Sequence, residues 1–133
     1  MTYVPLPRRA PLRRKPVRRT LSRRVLAEPM PEAVYQAVMR RSGGRCEVCG
    51  DPARSLHWHH RLTVQHGGPN TVVNGLAVHP ACHADRVHSR RARALEAGWL
   101  VRRGDDPAAV PVLYHGRRWV LLTEDGRVED VAA

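Results

Sequence analysis

Four histidines lie close together in the stretch SLHWHHRLTVQH, at His57, His59, His60 and His66. The imidazole side chain changes charge near neutral pH, and its neutral form is the commonest nitrogen ligand for transition metals in proteins. This concentration of imidazoles therefore indicates either metal binding or proton transfer. The alternative interpretation is a solvated polar loop without chemistry of its own, and the rest of the sequence must decide between the two.

Three cysteines predict a structural zinc site. Cys46 and Cys49 form a Cys-x-x-Cys pair, and His79 with Cys82 repeats that spacing. An odd number of cysteines leaves one unpaired in any disulfide scheme, whereas three thiolates and one imidazole suit a closed, tetrahedral zinc site. Either of two other histidines, His57 or His66, could replace His79 as the fourth ligand. The competing interpretation is a set of buried thiols beside a histidine that caps a helix.

Zinc binding through these residues leaves other histidines free, and their order suggests a second site. Cys82 and His83 are adjacent in the chain. On a helix their side chains diverge by about 100°, so one can face the zinc while the other faces a different cleft. A strand carrying His59 and His60, packed against that helix, would complete a second imidazole cluster. We interpret this second cluster as a functional metal site.

In order and spacing, these residues resemble the HNH endonuclease family in its zinc-stapled form, over roughly residues 40–90. The matching features are Cys46-x-x-Cys49, the pair His59-His60, Gly67-Gly68, Asn74 five residues before His79, and the sequence ACH that ends in His83. One departure is His79, which stands where these proteins usually carry a cysteine. The resemblance implies an α+β fold, a small zinc-stapled ββα-metal (His-Me finger) domain.

The resemblance also implies roles for individual side chains. His60 matches the general base that takes a proton from water, and Asn74 matches the residue that pins the loop between two β-strands. His59 and His83 match ligands of one catalytic divalent ion, Mg2+ or another. Related proteins often carry a histidine near His88, which the resemblance assigns to the metal or to a phosphate. Its spacing of five from His83 corresponds to about 140° on an α-helix and disfavours joint ligation.

A short helix and a two-stranded hairpin are predicted to position these side chains. The stretch PEAVYQAVMRRSGG begins with proline and ends in two glycines, which are start and stop signals for a helix. Such a helix would deliver the chain directly to Cys46. We interpret SLHWHH as a strand, RLTVQHGGPNTVVNG as a loop and LAV as the returning strand.

A second helix and a β-rich segment are predicted after the hairpin. His79 stands at the N-cap of this helix, Pro80 at its first position and Gly98 at its C-terminal end. Beyond it, VPVLYHGRRWVLLTEDGRVEDV contains β-rich runs broken by His115-Gly116 and Asp125-Gly126, which are tight-turn pairs. We therefore expect a C-terminal β-hairpin or meander.

The formal net charge is +11, and the basic residues are concentrated at the N-terminus. The first 24 residues hold nine Arg or Lys, four prolines and no acidic residue, so this segment cannot bury enough apolar surface to order on its own. We expect a disordered basic arm that binds the phosphates of DNA, with a solubilising or targeting tail as the alternative. The predicted DNA contacts are Arg8, Arg9, Arg13, Arg14, Lys15, Arg18 and Arg19 on the arm, and Arg86 and Arg90 on the second helix.

The chain of 133 residues suits one small domain with appendages. The predicted division is a basic arm at residues 1–27, an HNH nuclease domain at residues 28–100 and a C-terminal β-hairpin extension at residues 101–133. Phenylalanine is absent, so the core is small and needs a staple such as zinc. No apolar run reaches about 18 residues, and charges occupy the place of a signal peptide, which predicts a cytoplasmic protein without a membrane partner.

The predicted function is metal-dependent hydrolysis of phosphodiester bonds in DNA, by an HNH endonuclease or nickase that uses structural Zn2+ and a catalytic divalent ion. The stretch CHADRVHSRRARALEAGWLV and the hairpin after it also resemble HNH proteins of actinobacteria and their phages. Such proteins are encoded beside packaging genes, which implies a phage origin and terminase as a partner. The alternative function is a non-catalytic, zinc-stapled nucleic-acid-binding module, which leaves His59, His60 and His83 without a role.

Overall fold

The computed structural model describes residues 28–131 and shows short helices packed with two small antiparallel sheets. The helices are α1 (Glu32–Ser42), α2 (Pro80–Cys82) and α3 (Arg91–Glu96). The strands are β1 (His57–His60), β2 (Gly75–Val78), β3 (Val112–Tyr114), β4 (Arg118–Leu122) and β5 (Val128–Asp130). The α+β class is confirmed. The predicted basic arm and its DNA contacts lie outside the described residues, and none of the described helices is long and apolar enough to cross a membrane.

Helix α1 begins and ends where the sequence predicts. Glu32 lies in its first turn and Arg41 in its last turn, where acidic and basic side chains interact favourably with the helix dipole. Gly43 follows the last turn in the left-handed conformation, with φ of 61°, which glycine adopts without steric cost. On the inner face of the helix, Val38 is fully buried and packs with Ala77 of β2.

Strands β1 and β2 form an antiparallel pair in which His60 lies opposite Gly75. Successive side chains of a strand point to opposite faces, so the adjacent histidines have different surroundings: His59 is buried and His60 is partly exposed. Strand β2 is buried along its whole length. Glycine is required at position 75 because a Cβ there would lie 2.2 Å from the Trp58 ring.

The single second helix expected from the sequence is interrupted in the structure. Helix α2 stops after three residues, a π-helical segment (His83–His88) follows, and α3 begins beyond it. The Ser89 amide donates to the Ala84 carbonyl at 3.2 Å, in the i to i+5 pattern of a π-helix. Ser89 Oγ donates to the same carbonyl at 2.9 Å, and such local side-chain bonds compete with regular helix. The prediction of one continuous helix is wrong, although Gly98 does adopt the left-handed conformation near its expected end.

The expected C-terminal hairpin is present and is extended by a third strand, in the order β3-β4-β5. His115 and Gly116 form the first turn with positive φ values of 56° and 66°, as in the tight turns that connect hairpins. Val112 of β3 and Val120 of β4 are fully buried in the same hydrophobic cluster as Leu76 of β2. The meander and the β1-β2 hairpin are therefore built on one hydrophobic core.

Arg61 is fully buried directly after β1. Its guanidinium donates to four backbone carbonyls, those of Gly98 (2.9 Å), Val73 (2.9 Å), Pro107 (2.8 Å) and Val110 (2.7 Å). Burial, with a smaller contribution from Arg41, lowers the pKa of Arg61 to about 9, which leaves the group charged at neutral pH. One side chain thus joins the loop before β2, the end of α3 and the segment before β3.

A buried ion pair connects α1 with the β1-β2 hairpin. Arg41 donates to both carboxylate oxygens of Glu47, at 2.8 and 2.9 Å, and to the carbonyls of Val72 and Gly75. Glu47 also accepts from the Ala77 amide at 2.9 Å. A buried pair is tolerated when its geometry is bidentate and its remaining polar positions are satisfied. Because Glu47 lies inside the Cys-x-x-Cys turn, the pair also positions the cysteines.

Replacing Arg61 by methionine would leave four buried carbonyls without donors. Each unsatisfied buried polar group costs about 1–3 kcal/mol, so we expect the zinc-loaded Arg61→Met protein to lose more than about 3 kcal/mol of unfolding free energy. Urea denaturation followed by circular dichroism measures the difference. The matched control is Arg102→Met at an exposed arginine, where we expect a change below about 0.5 kcal/mol. An equally small effect at Arg61 would contradict its bracing role.

Candidate metal centres

Three sulfur atoms and one ring nitrogen come together where the turn after α1 meets the start of α2. This sulfur cluster, whose ligand atoms all lie within 4.8 Å of one another, consists of Cys46, Cys49, His79 and Cys82. A tetrahedral zinc ion with Zn–S bonds of about 2.3 Å places its ligand atoms about 3.8 Å apart, so the cluster has the dimensions of a zinc site. Two other histidines considered as fourth ligand are not part of it, His57 and His66.

His79 presents its Nδ1 atom to the sulfur cluster because its other ring nitrogen is engaged. Nε2 lies 3.3 Å from the Pro52 carbonyl oxygen, and a carbonyl only accepts, so Nε2 carries the proton. The unprotonated Nδ1 lies 3.3 Å from Cys49 Sγ and 3.8 Å from Cys82 Sγ. His79 occupies the N-cap position of α2 without a side-chain cap hydrogen bond. The orientation is that of a metal-ligating histidine held by an outer carbonyl.

The thiols of the sulfur cluster disfavour one another's ionisation. Burial raises the pKa of Cys82 to about 12, and the neighbouring Cys46 and Cys49 add to this shift. Burial also raises the pKa of Cys49. Adjacent thiolates in a partly buried place repel each other, and a bound divalent cation supplies the charge that lets them ionise together. The donor set fits zinc, and the cluster suggests a structural zinc site.

A second set of ligand-type atoms, the histidine row, consists of His59, His83 and His88. His59 Nδ1 lies 3.1 Å from His83 Nε2, and the same His83 atom lies 3.1 Å from His88 Nε2. Two nitrogens bound at right angles to one ion, each about 2.1 Å from it, are separated by about 3.0 Å. The spacing of each neighbouring pair therefore fits ligation of a metal ion, but the three nitrogens do not all lie within 4.8 Å of one another, so the row as placed offers an ion two ligands at a time.

The π-helical segment explains how His88 reaches this row. Five positions of an α-helix turn through about 140°, and on that basis the sequence disfavoured joint ligation by His83 and His88. A π-helix closes its hydrogen bonds from residue i to i+5, so residues five apart lie on one face. The α-helical spacing that disfavoured His88 therefore does not apply here, and ligation of one ion by His88 together with His59 and His83 stays a prediction. The ring of His88 is exposed, whereas that of His59 at the other end of the row is buried.

His59 is held in its neutral form with one nitrogen directed at the row. Burial lowers the pKa of His59 to about 3, against an opposing effect of its hydrogen bond to Trp99. Nε2 donates to the Trp99 carbonyl at 2.8 Å, which leaves Nδ1 unprotonated and facing His83. Burial also lowers the pKa of His83. Neutral imidazoles with a fixed tautomer are the form in which histidine binds metal ions.

The sulfur cluster and the histidine row are connected through two adjacent residues. Cys82 belongs to the cluster and His83 to the row. Because the two residues share one helical turn, fixing the side chain of the first also fixes the direction of the second. A zinc ion in the sulfur cluster would thereby hold both the turn after α1 and the position of His83.

His60 lies on the opposite face of β1 from the histidine row. Its Nε2 atom is 2.8 Å from Oδ1 of Asn70, and its ring packs edge-on against Trp58 with centroids 4.6 Å apart. The sequence pattern did not reveal Asn70, because an asparagine after a Gly-Gly-Pro bend is typical of an ordinary turn. The structure instead brings this side chain into direct contact with the predicted general base.

Asn74 is fully buried and joins the two ends of the loop between β1 and β2. Its Oδ1 accepts from the Leu62 amide at 2.7 Å. Its Nδ2 donates to the carbonyls of Leu62 at 3.1 Å and Pro69 at 2.9 Å. These are the contacts that a loop-pinning residue requires. The side-chain partner of His60 is Asn70 and not Asn74.

The two predicted DNA contacts on the second helix are exposed. Arg86 and Arg90, together with Arg93, Asp85 and Trp99, line an open groove of about 290 Å³. Three guanidinium groups against a single carboxylate make this groove attractive to an anion such as phosphate.

Two buried charged residues that position the candidate site were not predicted, Arg61 and Glu47. Arginine and glutamate are almost never fully buried unless paired, so a single sequence gives no reason to place them inside. The position of Glu47 between two predicted zinc ligands was the only available signal, and it does not reveal the partner Arg41. The acceptors of Arg61 are backbone atoms, which no residue pattern can indicate.

Comparison with protein families agrees with this geometry. A family model described as HNH endonuclease matches residues 46–89, a range that contains the sulfur cluster, the histidine row, His60 and Asn74. Residues 46–89 are thus similar to an HNH endonuclease domain, and the resemblance seen in the sequence is confirmed. No curated protein matches the chain. An HNH domain suggests a nuclease or a nucleic-acid-binding protein with a metal site.

Loss of a single ligand tests the zinc assignment. We expect Cys46→Ser and His79→Ala to lose bound zinc and cooperative unfolding, because the free energy of metal binding contributes directly to folding. Elemental analysis after extensive dialysis should find one retained zinc per wild-type chain. His57→Ala and His66→Ala serve as matched controls and should retain it. A cooperatively folded wild-type protein without zinc would contradict the assignment.

Proposed function

We propose that the HNH segment is a metal-dependent endonuclease or nickase that hydrolyses phosphodiester bonds in DNA. The observation that carries the proposal is the division of the two adjacent histidines of β1. His59 lies in the row with His83, while His60 is held on the other face by Asn70. A protein that only binds nucleic acid can use the sulfur cluster and the basic surface. Such a protein has no need for His59 and His60 on opposite faces of β1 with different partners.

His59 Nδ1 and His83 Nε2, which lie 3.1 Å apart, would hold the catalytic ion, and His88 would add a third nitrogen only after a change in the position of its ring, since the three nitrogens do not all lie within 4.8 Å of one another. These donors are nitrogens, and imidazole suits ions such as Zn2+ or Ni2+, whereas Mg2+ prefers oxygen ligands. The row therefore favours a transition-metal ion over Mg2+. A divalent ion bound there would polarise a phosphate oxygen and stabilise the charge that develops during hydrolysis.

His60 would act as the general base. The oxygen of an attacking water forms a bond to phosphorus, and a ring nitrogen of His60 takes the proton of the water. The bond from phosphorus to one sugar oxygen breaks, and that oxygen leaves with the electron pair and takes a proton from solvent. Histidine suits this task because its neutral form is abundant at pH 7. Asn74 supports the reaction indirectly, since it holds the loop that connects β1 to β2.

The basic arm and the arginine groove would supply affinity for DNA. The arm carries seven of the predicted phosphate contacts, and the groove presents Arg86, Arg90 and Arg93 beside the π-helical segment. Contacts of this kind depend on charge and carry no sequence preference. The terminase partner and the phage origin, implied by resemblance alone, have no support in the described residues and are not part of this proposal. The cytoplasmic location stays a prediction from the sequence.

Replacing His60 separates catalysis from binding. We expect His60→Ala to keep zinc, fold and DNA affinity but to lose cleavage by roughly 100- to 10,000-fold, as is typical when a general base is removed. The measurement is a time course of supercoiled plasmid nicking at matched DNA occupancy, with Zn2+, Ni2+, Mn2+ or Mg2+ added. His83→Ala should also lose cleavage, but through weaker binding of the catalytic ion, so that excess Mn2+ partly restores it.

The matched control for these variants is His66→Ala, at a histidine in the loop between β1 and β2 and outside both metal centres, which should cleave at the wild-type rate. Equal rates for wild type and His60→Ala would remove His60 from the mechanism. If wild type binds DNA but cleaves no plasmid with any of the four ions, the result favours the non-catalytic binding module.

Charge removal tests the arm in the full-length chain. We expect glutamine at the seven basic arm positions to weaken DNA binding and to flatten its salt dependence. The slope of log affinity against log salt falls by about 0.9 for each phosphate that the protein no longer neutralises. The comparison is the double variant Arg86→Gln/Arg90→Gln. It removes two positive charges, so it can change the slope by at most about 1.8. Fluorescence anisotropy across a salt series measures both, and an unchanged slope in the arm variant would exclude it from DNA binding.

A further inference from the structure

Asn70 links the predicted general base to the backbone at the start of the described chain. Its Oδ1 lies 2.8 Å from His60 Nε2. Its Nδ2 lies 3.1 Å from the Glu28 carbonyl and 3.3 Å from the Pro29 carbonyl. Asn70 thus stands between the ring of His60 and a segment more than forty residues earlier in the chain.

The two carbonyls determine which atom donates and which accepts in each hydrogen bond of Asn70. A backbone carbonyl only accepts hydrogen bonds, so the NH2 group of Asn70 must face Glu28 and Pro29. The amide oxygen of Asn70 is then the atom that faces His60. Because an amide oxygen also only accepts, Nε2 of His60 must donate and therefore carries the proton of the neutral ring. The unprotonated nitrogen of His60 is then Nδ1.

The carbonyls themselves are held in place by proline. Glu28 precedes Pro29, and a residue before proline is restricted to extended conformations. Pro31 lies directly before α1, and its carbonyl accepts the Tyr35 amide at 3.0 Å in the first turn of the helix. The backbone of the segment that faces Asn70 is therefore conformationally restricted and leads directly into α1.

The ring of His60 is also constrained by packing. Trp58, two residues earlier on the same face of β1, contacts the ring edge-on with an interplanar angle of 67°. Trp58 restricts the position of the ring but does not select the nitrogen that carries the proton. Within residues 28–131, the hydrogen bond that distinguishes the two ring nitrogens of His60 is the one to Asn70.

We propose that Asn70 is a positioning residue that fixes the tautomer of His60, with the proton on Nε2 and the basic lone pair on Nδ1. The catalytic part of this inference rests on the proposed function of His60 as general base. The tautomer part does not, because it follows from the hydrogen bonds alone. Loss of Asn70 would let the proton move between the two nitrogens, and the fraction of rings with a free Nδ1 would fall.

The test measures the tautomer and the reaction separately. Nitrogen NMR of the full-length, zinc-loaded protein with 15N-labelled histidine, at about pH 8 where imidazole is mostly neutral, distinguishes protonated from bare ring nitrogens. The His60→Ala spectrum assigns the signals. We expect wild-type His60 to be protonated at Nε2, and Asn70→Ala to show a mixture of tautomers. Gln65→Ala, which removes an exposed amide side chain from the same loop, should resemble wild type.

The second readout is plasmid nicking. Outer hydrogen-bond partners of metal-ligating histidines typically contribute 10- to 100-fold to activity. By analogy with them, we expect Asn70→Ala to lower kcat by roughly that factor with DNA affinity unchanged. Zinc content and circular dichroism check the fold of each variant. If the alanine variant does not fold, Asn70→Ser replaces it, because a hydroxyl can donate or accept and does not impose the Nε2 proton.

The outcomes separate the two proposals. Two results would overturn the positioning role: the wild-type tautomer in a folded Asn70→Ala protein, or, provided that the wild type cleaves, a kcat of Asn70→Ala equal to that of the wild type. No cleavage by wild type combined with a mixed tautomer in Asn70→Ala would refute the nuclease proposal and support the positioning of His60 by Asn70.

Discussion

The buried guanidinium of Arg61 is the interaction on which the rest of the structure depends. It lies directly after the His59-His60 pair and donates to four carbonyls from three separate segments. Those segments are irregular, so their carbonyls have few partners in helices or sheets, and a buried carbonyl without a donor is costly. The planar fork of arginine can satisfy several acceptors at once, which lysine cannot do in a fixed geometry. The two strands of the hairpin have four residues each, and this brace holds them against α3 and the meander.

The same property of the carbonyl group, that it only accepts, orients the histidines. A neutral imidazole has one donor nitrogen and one acceptor nitrogen. Where a carbonyl or amide oxygen accepts a hydrogen bond from the protonated ring nitrogen, the unprotonated nitrogen faces another partner. In His79 the unprotonated nitrogen faces the sulfur cluster, and in His59 it faces the histidine row. His60 follows the same rule through Asn70. The chemistry of each ring is therefore decided by an outer partner that is not itself a ligand or a base.

Local spacing was enough to predict several features of this protein. The ligands of the sulfur cluster come in two pairs of fixed spacing, α1 lies between its proline and glycine signals, and the β1-β2 hairpin follows from two short runs separated by turn residues. Each of these depends on contacts within a few residues or on a ligand geometry that repeats. The order of the residues also predicted a second imidazole cluster of His59, His60 and His83. The structure brings His59 and His83 together, but the inclusion of His60 is wrong, because successive side chains of a strand point to opposite faces and His60 contacts Asn70 instead.

Only the tertiary structure decided the features that rest on distant contacts. The tautomer of His59 is set by a carbonyl forty positions away, and the orientation of Asn70 by carbonyls about as distant in the opposite direction. The burial of Arg61 depends on backbone acceptors that no side-chain pattern encodes. The place of His88 in the row required a π-helical segment, which a periodicity of 3.6 residues cannot predict. Sequence alone determined which residue types are available and in what order, whereas the positions of backbone carbonyls, known only after folding, determined what each side chain can do.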